Sequence, residues 1–322
     1  MGVSEGLVEI ELPQQKNLHD GARFPAIVSP PPSPPSSSPH QLIQTHKHFL
    51  DSLLAESGAL LLRGFPLNTA SDFNDVVEAF GYDDFPVASI SAPRTKVVGR
   101  VFTANESPPE QSIAFHHEMA MVPEFPPKLF FFCEVEPQPG SGGETPIVPS
   151  HVVYQRMKKA QPQFVERLEK HGLLYTRFLA EEDDASSPIG RGWKSNFNTT
   201  DKTLAQERAD KLGMKLEWLE NGGAKMIIGP VEGVKYDERR EQRKEVWFHT
   251  MVGWDDPSKP VRFGDGEELP DEAVSDCLRI LEEECVAIPW KKGDVLIIDN
   301  LVVLHARRPC YSPRRVLASL AK

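Results

Sequence analysis

The chain has 322 residues, with 36 Lys and Arg against 47 Asp and Glu, giving a formal net charge of −11. A chain of this length buries roughly 75% of its unfolded surface, so its core needs no staple, and its acidity excludes the basic stripe of a nucleic-acid binder. Its four cysteines (Cys133, Cys277, Cys285 and Cys310) form no CxxC pair, which excludes a zinc ribbon or disulfide scaffold and suits a reducing compartment.

The N-terminus carries Glu5, Glu9 and Glu11 and no basic-then-apolar region, so no secretory or transit signal is expected. Gly6 stands where a myristoylation signal needs Ser or Thr. Residues 24–40 are rich in Pro and Ser, which predicts an extended surface linker. That segment also offers a docking place to a protein partner, with nothing else in the sequence to support one. Residues 41–56 predict an amphipathic helix with Leu50, Leu53 and Leu54 on one face, and Ala59–Gly64 a buried strand. Ser71 is expected to cap a helix carrying Phe73, Val76, Val77 and Phe80 on one stripe.

Farther along, Lys128–Val135 predicts an apolar strand, with Phe130, Phe131 and Phe132 in the core, and residues 139–143 a turn. Residues 150–171 read as helix with a break near Pro162, and residues 201–212 as another. Residues 216–219 and 225–228 flank Asn221-Gly222-Gly223, a hairpin signal. Pro270 is expected to open a helix over 270–285, followed by strands at 286–290, 294–299 and 315–320. No apolar run approaches the roughly 20 residues of a membrane-spanning helix. The expectation is a cytoplasmic, intracellular protein without membrane association. Many short strands without regular βαβ alternation predict a mainly β protein with peripheral helices, of α+β class, built on a sandwich or barrel.

His116-His117-Glu118 is the first candidate for chemistry. On a strand, residues 116 and 118 share a face while 117 points away. A nitrogen and an oxygen there, with a distant second His, make a two-His-one-carboxylate face with open positions. Composition alone gives roughly 1.5 His-x-acid matches by chance, so this motif carries weight only with further signals. A zincin is excluded because Met121 stands where His117-Glu118 would need a second His.

Further signals come from Gly142-Gly143-Glu144-Thr145-Pro146, from Gly293-Asp294 followed by Asp299-Asn300 and His305, and from Arg314-Arg315. In this order and spacing, together with Phe115–Ala120, the chain resembles the taurine dioxygenase (TauD/TfdA) family, clavaminate synthase-like branch. The resemblance covers about residues 55–322. It implies a double-stranded β-helix (jelly-roll) oxygenase domain there, with a helical insert over about 150–215, preceded by an N-terminal segment, 1–54, holding the linker and a lead-in helix. It implies His116, Glu118 and His305 as ligands of Fe(II), with Glu118 where most members carry Asp. Thr145 and Arg315 match the residues that hold the far carboxylate of the co-substrate 2-oxoglutarate; a one-residue shift of register gives that role to Arg314. The family's sulfonate-binding Arg, four residues beyond the co-substrate Arg, is replaced by Ser319, which speaks against taurine.

The reaction so implied takes 2-oxoglutarate and dioxygen to succinate and CO2 while a small-molecule substrate is oxidised, by hydroxylation or a related step. By the same analogy residues 176–198, with Arg191 and Trp193, cover the site. His249 either lines the cavity or fills a strand. Arg307 and Arg308 either steer anions or form a solvated rim, and Asn300 is expected to close a corner. His117 points away from the metal unless the strand reading fails. Glu181–Asp184 lacks the alternation of a calcium loop. Two other classes use the same residues: a metal-dependent non-oxidative enzyme, and a non-catalytic binding protein on the same fold.

Overall fold

The computed structural model describes residues 6–18, 21–31, 38–86, 94–104, 107–183, 192–239, 244–250 and 261–322. Its centre is an eight-stranded sheet in the order Val8–Glu9, Ala26–Ser29, Ala59–Leu62, Val295–Asp299, Lys128–Val135, Arg315–Ala321, Val101–Thr103 and Lys96–Val98. All its pairings are antiparallel except that between Ala26–Ser29 and Ala59–Leu62. A smaller sheet of Ile147–Pro149, Val303–Arg307 and Ile113–His116 faces it. Leu129, Phe131, Leu296, Ile298, Val316 and Ala318 pack between the two with Ile147 and Val303, closing the jelly roll predicted from the sequence. On the other face Phe130, Phe132, Val295 and Ile297 meet Leu50, Leu54, Phe73 and Val77 of the helices Lys47–Ser57 and Ala70–Phe80. Alternation along one strand, period two, thus serves two cores.

The chain between Pro149 and Gly293 builds a third layer. Helices Ser150–Ala160, Pro162–His171, Lys202–Lys211 and Asp271–Glu284 pack on a four-stranded sheet of Met214–Trp218, Ala224–Val231, Leu173–Leu179 and Val261–Phe263. Strand Leu173–Leu179 lies within the stretch expected to be a helical insert. Leu304 and Ala306 turn their side chains to this layer, so the residues between and beside them, Val303 and His305, face the jelly-roll interior.

Several local expectations are corrected. The Pro-rich stretch is not a surface linker throughout: Phe24 is fully buried and Ala26–Ser29 is a strand, because its first five residues are apolar enough to join the core. Residues 32–37 of it lie outside those described. The helix expected over 41–56 is two, Pro39–Thr45 and Lys47–Ser57, meeting at His46. Thr69, not Ser71, caps the next helix. Its hydroxyl accepts from the Asp72 N–H, while the Asp72 carboxylate accepts from the N–H groups of Asn68 and Thr69. Residues 286–290 form no strand: Val286 makes one isolated bridge to Ile147, and Pro289 has no N–H to continue a ladder. The break at Pro162 and the hairpin around Asn221-Gly222-Gly223 are as expected. No helix among the described residues is long and apolar enough to cross a membrane.

Candidate metal centre

Strands Ile113–His116 and Val303–Arg307 pair with His116 opposite His305, which brings two imidazoles to a ring separation of 4.2 Å. The strand ends at His116, so Glu118 reaches the same place by a turn rather than by strand alternation. Met119 follows at φ 59°, a left-handed conformation that a side chain seldom adopts and that turns the chain sharply after Glu118. One ligand atom from each of His116, Glu118 and His305 lies within 4.8 Å of the others. Ligand atoms around an ion with bonds of about 2.1 Å stand roughly 3–4 Å apart, so a small closure brings the three to ligating distance.

The donor chemistry fits a divalent cation. His116 Nδ1 donates to the Ala114 carbonyl at 2.8 Å, which fixes the tautomer and leaves the Nε2 lone pair 3.8 Å from Glu118 Oε2. His305 is buried, and its Nδ1 has no partner among the described residues. Burial holds His305 well below its usual pKa, hence neutral and able to ligate. For Glu118 burial favours the acid form, but opposing positive charge, that of Arg94 foremost, keeps the carboxylate ionised. Arg94 Nη2 forms an ion pair with Glu118 Oε1 at 2.9 Å, and both side chains are over nine-tenths buried. The two carboxylate oxygens therefore divide, Oε2 toward the histidines and Oε1 toward the guanidinium.

Asn300 holds the backbone of this turn. Its Oδ1 accepts from the Glu118 N–H at 2.9 Å, and its Nδ2 donates to the carbonyls of Glu118 and Pro126 at 3.0 and 2.9 Å. It closes a corner, as expected, and that corner carries a candidate ligand. His117 points away from the triad as expected. Its Nδ1 donates to the Asn300 carbonyl at 2.5 Å and its Nε2 accepts from the Ser150 hydroxyl at 2.8 Å. Burial lowers its pKa to about 3 despite the carbonyls of Asn300 and Trp247 beside it.

Thr145 is buried between Trp290 and Arg314, two residues before Ile147, the register partner of His305. Trp290 Nε1 donates to its hydroxyl at 3.2 Å and Arg314 Nη2 at 3.4 Å. With both lone pairs engaged, the hydroxyl proton is left to donate outward. Burial, and then the nearby Arg307 charge, depress the Arg314 pKa to about 10, the signature of a guanidinium lacking a full counter-charge. The expectation that Arg315 stands beside Thr145 is corrected. A bulge between Arg315 and Val316 sets Arg315 on the other face of its strand, where it pairs with Glu134 and is half exposed. Gly143 makes the room for Arg314. At φ +85°, a Cβ on it would lie 2.8 Å from Arg314 Cδ and from Cys310 Sγ.

Other sequence candidates lie outside this cluster. His249 is buried against Trp247 at a ring distance of 4.4 Å, and that burial lowers its pKa to about 3. Arg307 straps the carbonyls of Ser107, Pro108 and Gln111, and Arg308 pairs with Glu282, so both have protein partners. Arg191 lies outside the described residues. Trp193 belongs to the core of the third layer, donating to the Gly222 carbonyl and packing edge-on to Trp218. Sequence reasoning missed Arg94 and Trp290. Trp290 was visible beside the Gly293-Asp294 turn, whereas Arg94 had no motif around it.

The profile of the family described as taurine catabolism dioxygenase TauD, TfdA family matches residues 33–320. The chain is 63% identical over 330 aligned positions to a clavaminate synthase-like protein of Arabidopsis thaliana, covering 98% of each. It is 29% identical over 294 positions to the dapdiamide synthesis protein DdaC of Enterobacter agglomerans, covering 85% of this chain and 84% of that one. Among solved structures it superposes on PvcB, an Fe, alpha-ketoglutarate dependent oxygenase from an isonitrile synthetic pathway, with TM-score 0.52 and 16% identity, over 100% of this chain and 93% of that one. It also superposes on AAD-2, solved with Mn(II) and N-oxalylglycine, with TM-score 0.53 and 14% identity, over 98% and 97%. Those two likenesses speak for the fold.

Proposed function

The chain belongs to the TauD/TfdA dioxygenase family, and from that premise we propose that it is an Fe(II)- and 2-oxoglutarate-dependent dioxygenase that oxidises a small molecule. His116, Glu118 and His305 would hold the metal. The iron, once bound, supplies the activation of dioxygen, with 2-oxoglutarate as the reductant that leaves as succinate and CO2. What supports the reading is the three-residue cluster together with Thr145, two residues before the register partner of His305, whose free hydroxyl proton stands beside the part-buried, under-compensated guanidinium of Arg314. A metal-dependent hydrolase needs the first and has no use for the second.

The chain's own residues bind and orient. Arg314 and Thr145 would receive the far carboxylate of 2-oxoglutarate, the fork by paired N–H donors and the hydroxyl by its remaining proton. Trp290 keeps the Thr145 rotamer by donating to it. Asn300 fixes the turn that aims Glu118. Phe131, 5.3 Å from the His305 ring, keeps that side of the centre apolar. Counted from Arg314, the position four residues on is Ala318, again not Arg, so a sulfonate has no partner there. The test is succinate release from 2-oxoglutarate in air with Fe(II) and ascorbate, screened against a metabolite library. Stimulation by a library member supports the proposal, and no succinate above the metal-free control with any member defeats it.

A further inference from the structure

Trp290 is held more firmly than a core side chain needs. It stands in a stretch without regular structure, yet the residues on either side of it are tied to one ion pair. Arg63 Nη2 donates to the Pro289 carbonyl at 2.9 Å, and the Asp294 carboxylate accepts from the Lys291 N–H at 2.8 Å. Arg63 and Asp294 themselves pair as a fork, Nε to Oδ1 at 3.0 Å and Nη2 to Oδ2 at 2.5 Å. The Asp294 side chain is 1% exposed and that of Arg63 17%. Such a pair contributes little net stability once its desolvation is counted. What it does is fix the backbone from which the indole projects.

The indole closes one side of the place where Thr145 stands. Trp290 is buried and donates from Nε1 to the Thr145 hydroxyl. Both residues line a cavity of about 20 Å³ with Leu61 and Leu296, register partners on the eight-stranded sheet, and with Ile147, the register partner of His305 on the smaller one. A space of that size holds about one water, so Thr145 has no room to retreat. The stem of Arg314 is packed as well, since a Cβ on Gly143 would lie 2.8 Å from both Arg314 Cδ and Cys310 Sγ. The receptor for the far carboxylate is therefore set at a fixed depth, Thr145 standing about 7 Å along its strand from Ile147. A diacid longer by one methylene overshoots by about 1.3 Å, and close-packed walls do not absorb that. Resting on the dioxygenase reading above, we propose that Trp290 sets the length of the 2-oxo diacid that the centre accepts, with Arg63 as the positioning residue that holds it. The five-carbon diacid is then taken and its six-carbon homologue is refused, by packing and not by charge.

The full-length protein, loaded with Mn(II), is titrated calorimetrically with 2-oxoglutarate, with 2-oxoadipate, and with 2-oxobutyrate, which has the chelating end but no far carboxylate. Wild type is expected to bind 2-oxoglutarate at least about tenfold tighter than 2-oxoadipate, the usual cost of one misplaced methylene. Trp290→Phe, with a smaller ring and no Nε1 donor, should cut that preference about fivefold or more, chiefly by tightening 2-oxoadipate. Arg63→Met, which releases the turn, should move the preference in the same direction. Arg63→Lys, which keeps the charge but not the fork, should fall between Arg63→Met and wild type. 2-Oxobutyrate should stay within about twofold of wild type in every variant, because it touches neither Thr145 nor Arg314. Equal affinity of wild type for the two diacids, an unchanged preference in the Trp290 and Arg63 variants, or a parallel loss of 2-oxobutyrate would each overturn the assignment. The wild-type comparison needs no variant to fold, and Arg63→Lys, the mildest change, carries the variant test should the others unfold. If wild type takes up neither Mn(II) nor 2-oxoglutarate, the dioxygenase reading fails and this inference falls with it. If it takes up both and does not discriminate between the diacids, only the inference fails.

Discussion

Asn300 is fully buried, and its side chain makes three hydrogen bonds, all to backbone groups around Glu118. Replacing it with Ala leaves one N–H and two carbonyls buried without partners. At about 1 kcal/mol for each lost bond, and more where a group stays dry and unpaired, the cost is about 3–5 kcal/mol. The turn it holds also aims the Glu118 carboxylate, and loss of such an outer partner typically weakens a metal site about 10–100-fold. Urea unfolding of the metal-free protein reads the first effect, and Mn(II) titration under native conditions reads the second. Asn300→Asp separates the contributions, since it keeps the Oδ1 acceptor for the Glu118 N–H and loses only the amide donor. A variant that lost the stability but bound Mn(II) like wild type would refute the reasoning, because Asn300 would then close a corner without positioning a ligand.

Three further outcomes follow from the geometry. Arg314→Ala should weaken 2-oxoglutarate binding about 100-fold, in line with loss of a buried charge-assisted pair, while Arg315→Ala, whose side chain faces Glu134, should leave it within about twofold by calorimetry. Gly143→Ala puts a Cβ against Arg314 and Cys310 at a positive φ; thermal unfolding should show a loss of about 1–2 kcal/mol, accompanied by weaker 2-oxoglutarate binding. His117 and His249 are held neutral with pKa values lowered to about 3 from 6.5, so the unfolded chain binds more protons than the folded one below pH 6.5. Stability should therefore be unaffected by these two above that pH and fall on acidification, by about 3 kcal/mol for both together at pH 5.5. Unfolding curves of His249→Gln against pH should lose about half of that slope.

The fold was legible wherever side-chain periodicity and local breakers act alone. Lys128–Val135 and Val295–Asp299 are apolar on both faces because both faces are covered, and Pro162 and the Asn221-Gly222-Gly223 turn punctuate the chain where expected. Ala26–Ser29 was masked by the prolines after it, since its strand depends on a parallel partner 34 residues away, Ala26 against Leu60. The candidate triad could be read because it lies in short motifs. The choice between Arg314 and Arg315 could not, because a single bulge next to Arg315 decides which side chain turns inward. Arg94 was beyond sequence reasoning for a similar cause: its meaning comes from Glu118, and nothing in its own neighbourhood marks it.

The central claim is that His116, Glu118 and His305 hold one iron that 2-oxoglutarate then chelates. The most direct measurement is anaerobic titration of the metal-free protein with Fe(II), followed by 2-oxoglutarate, reading bound iron by equilibrium dialysis and the chelate by its visible charge-transfer absorption. Wild type should take up one iron per chain and develop the absorption, while His116→Ala and His305→Ala, folded by circular dichroism, should each lose both. Stoichiometric iron binding that survives in both variants, or a wild-type iron complex that gives no absorption with 2-oxoglutarate, would contradict the account.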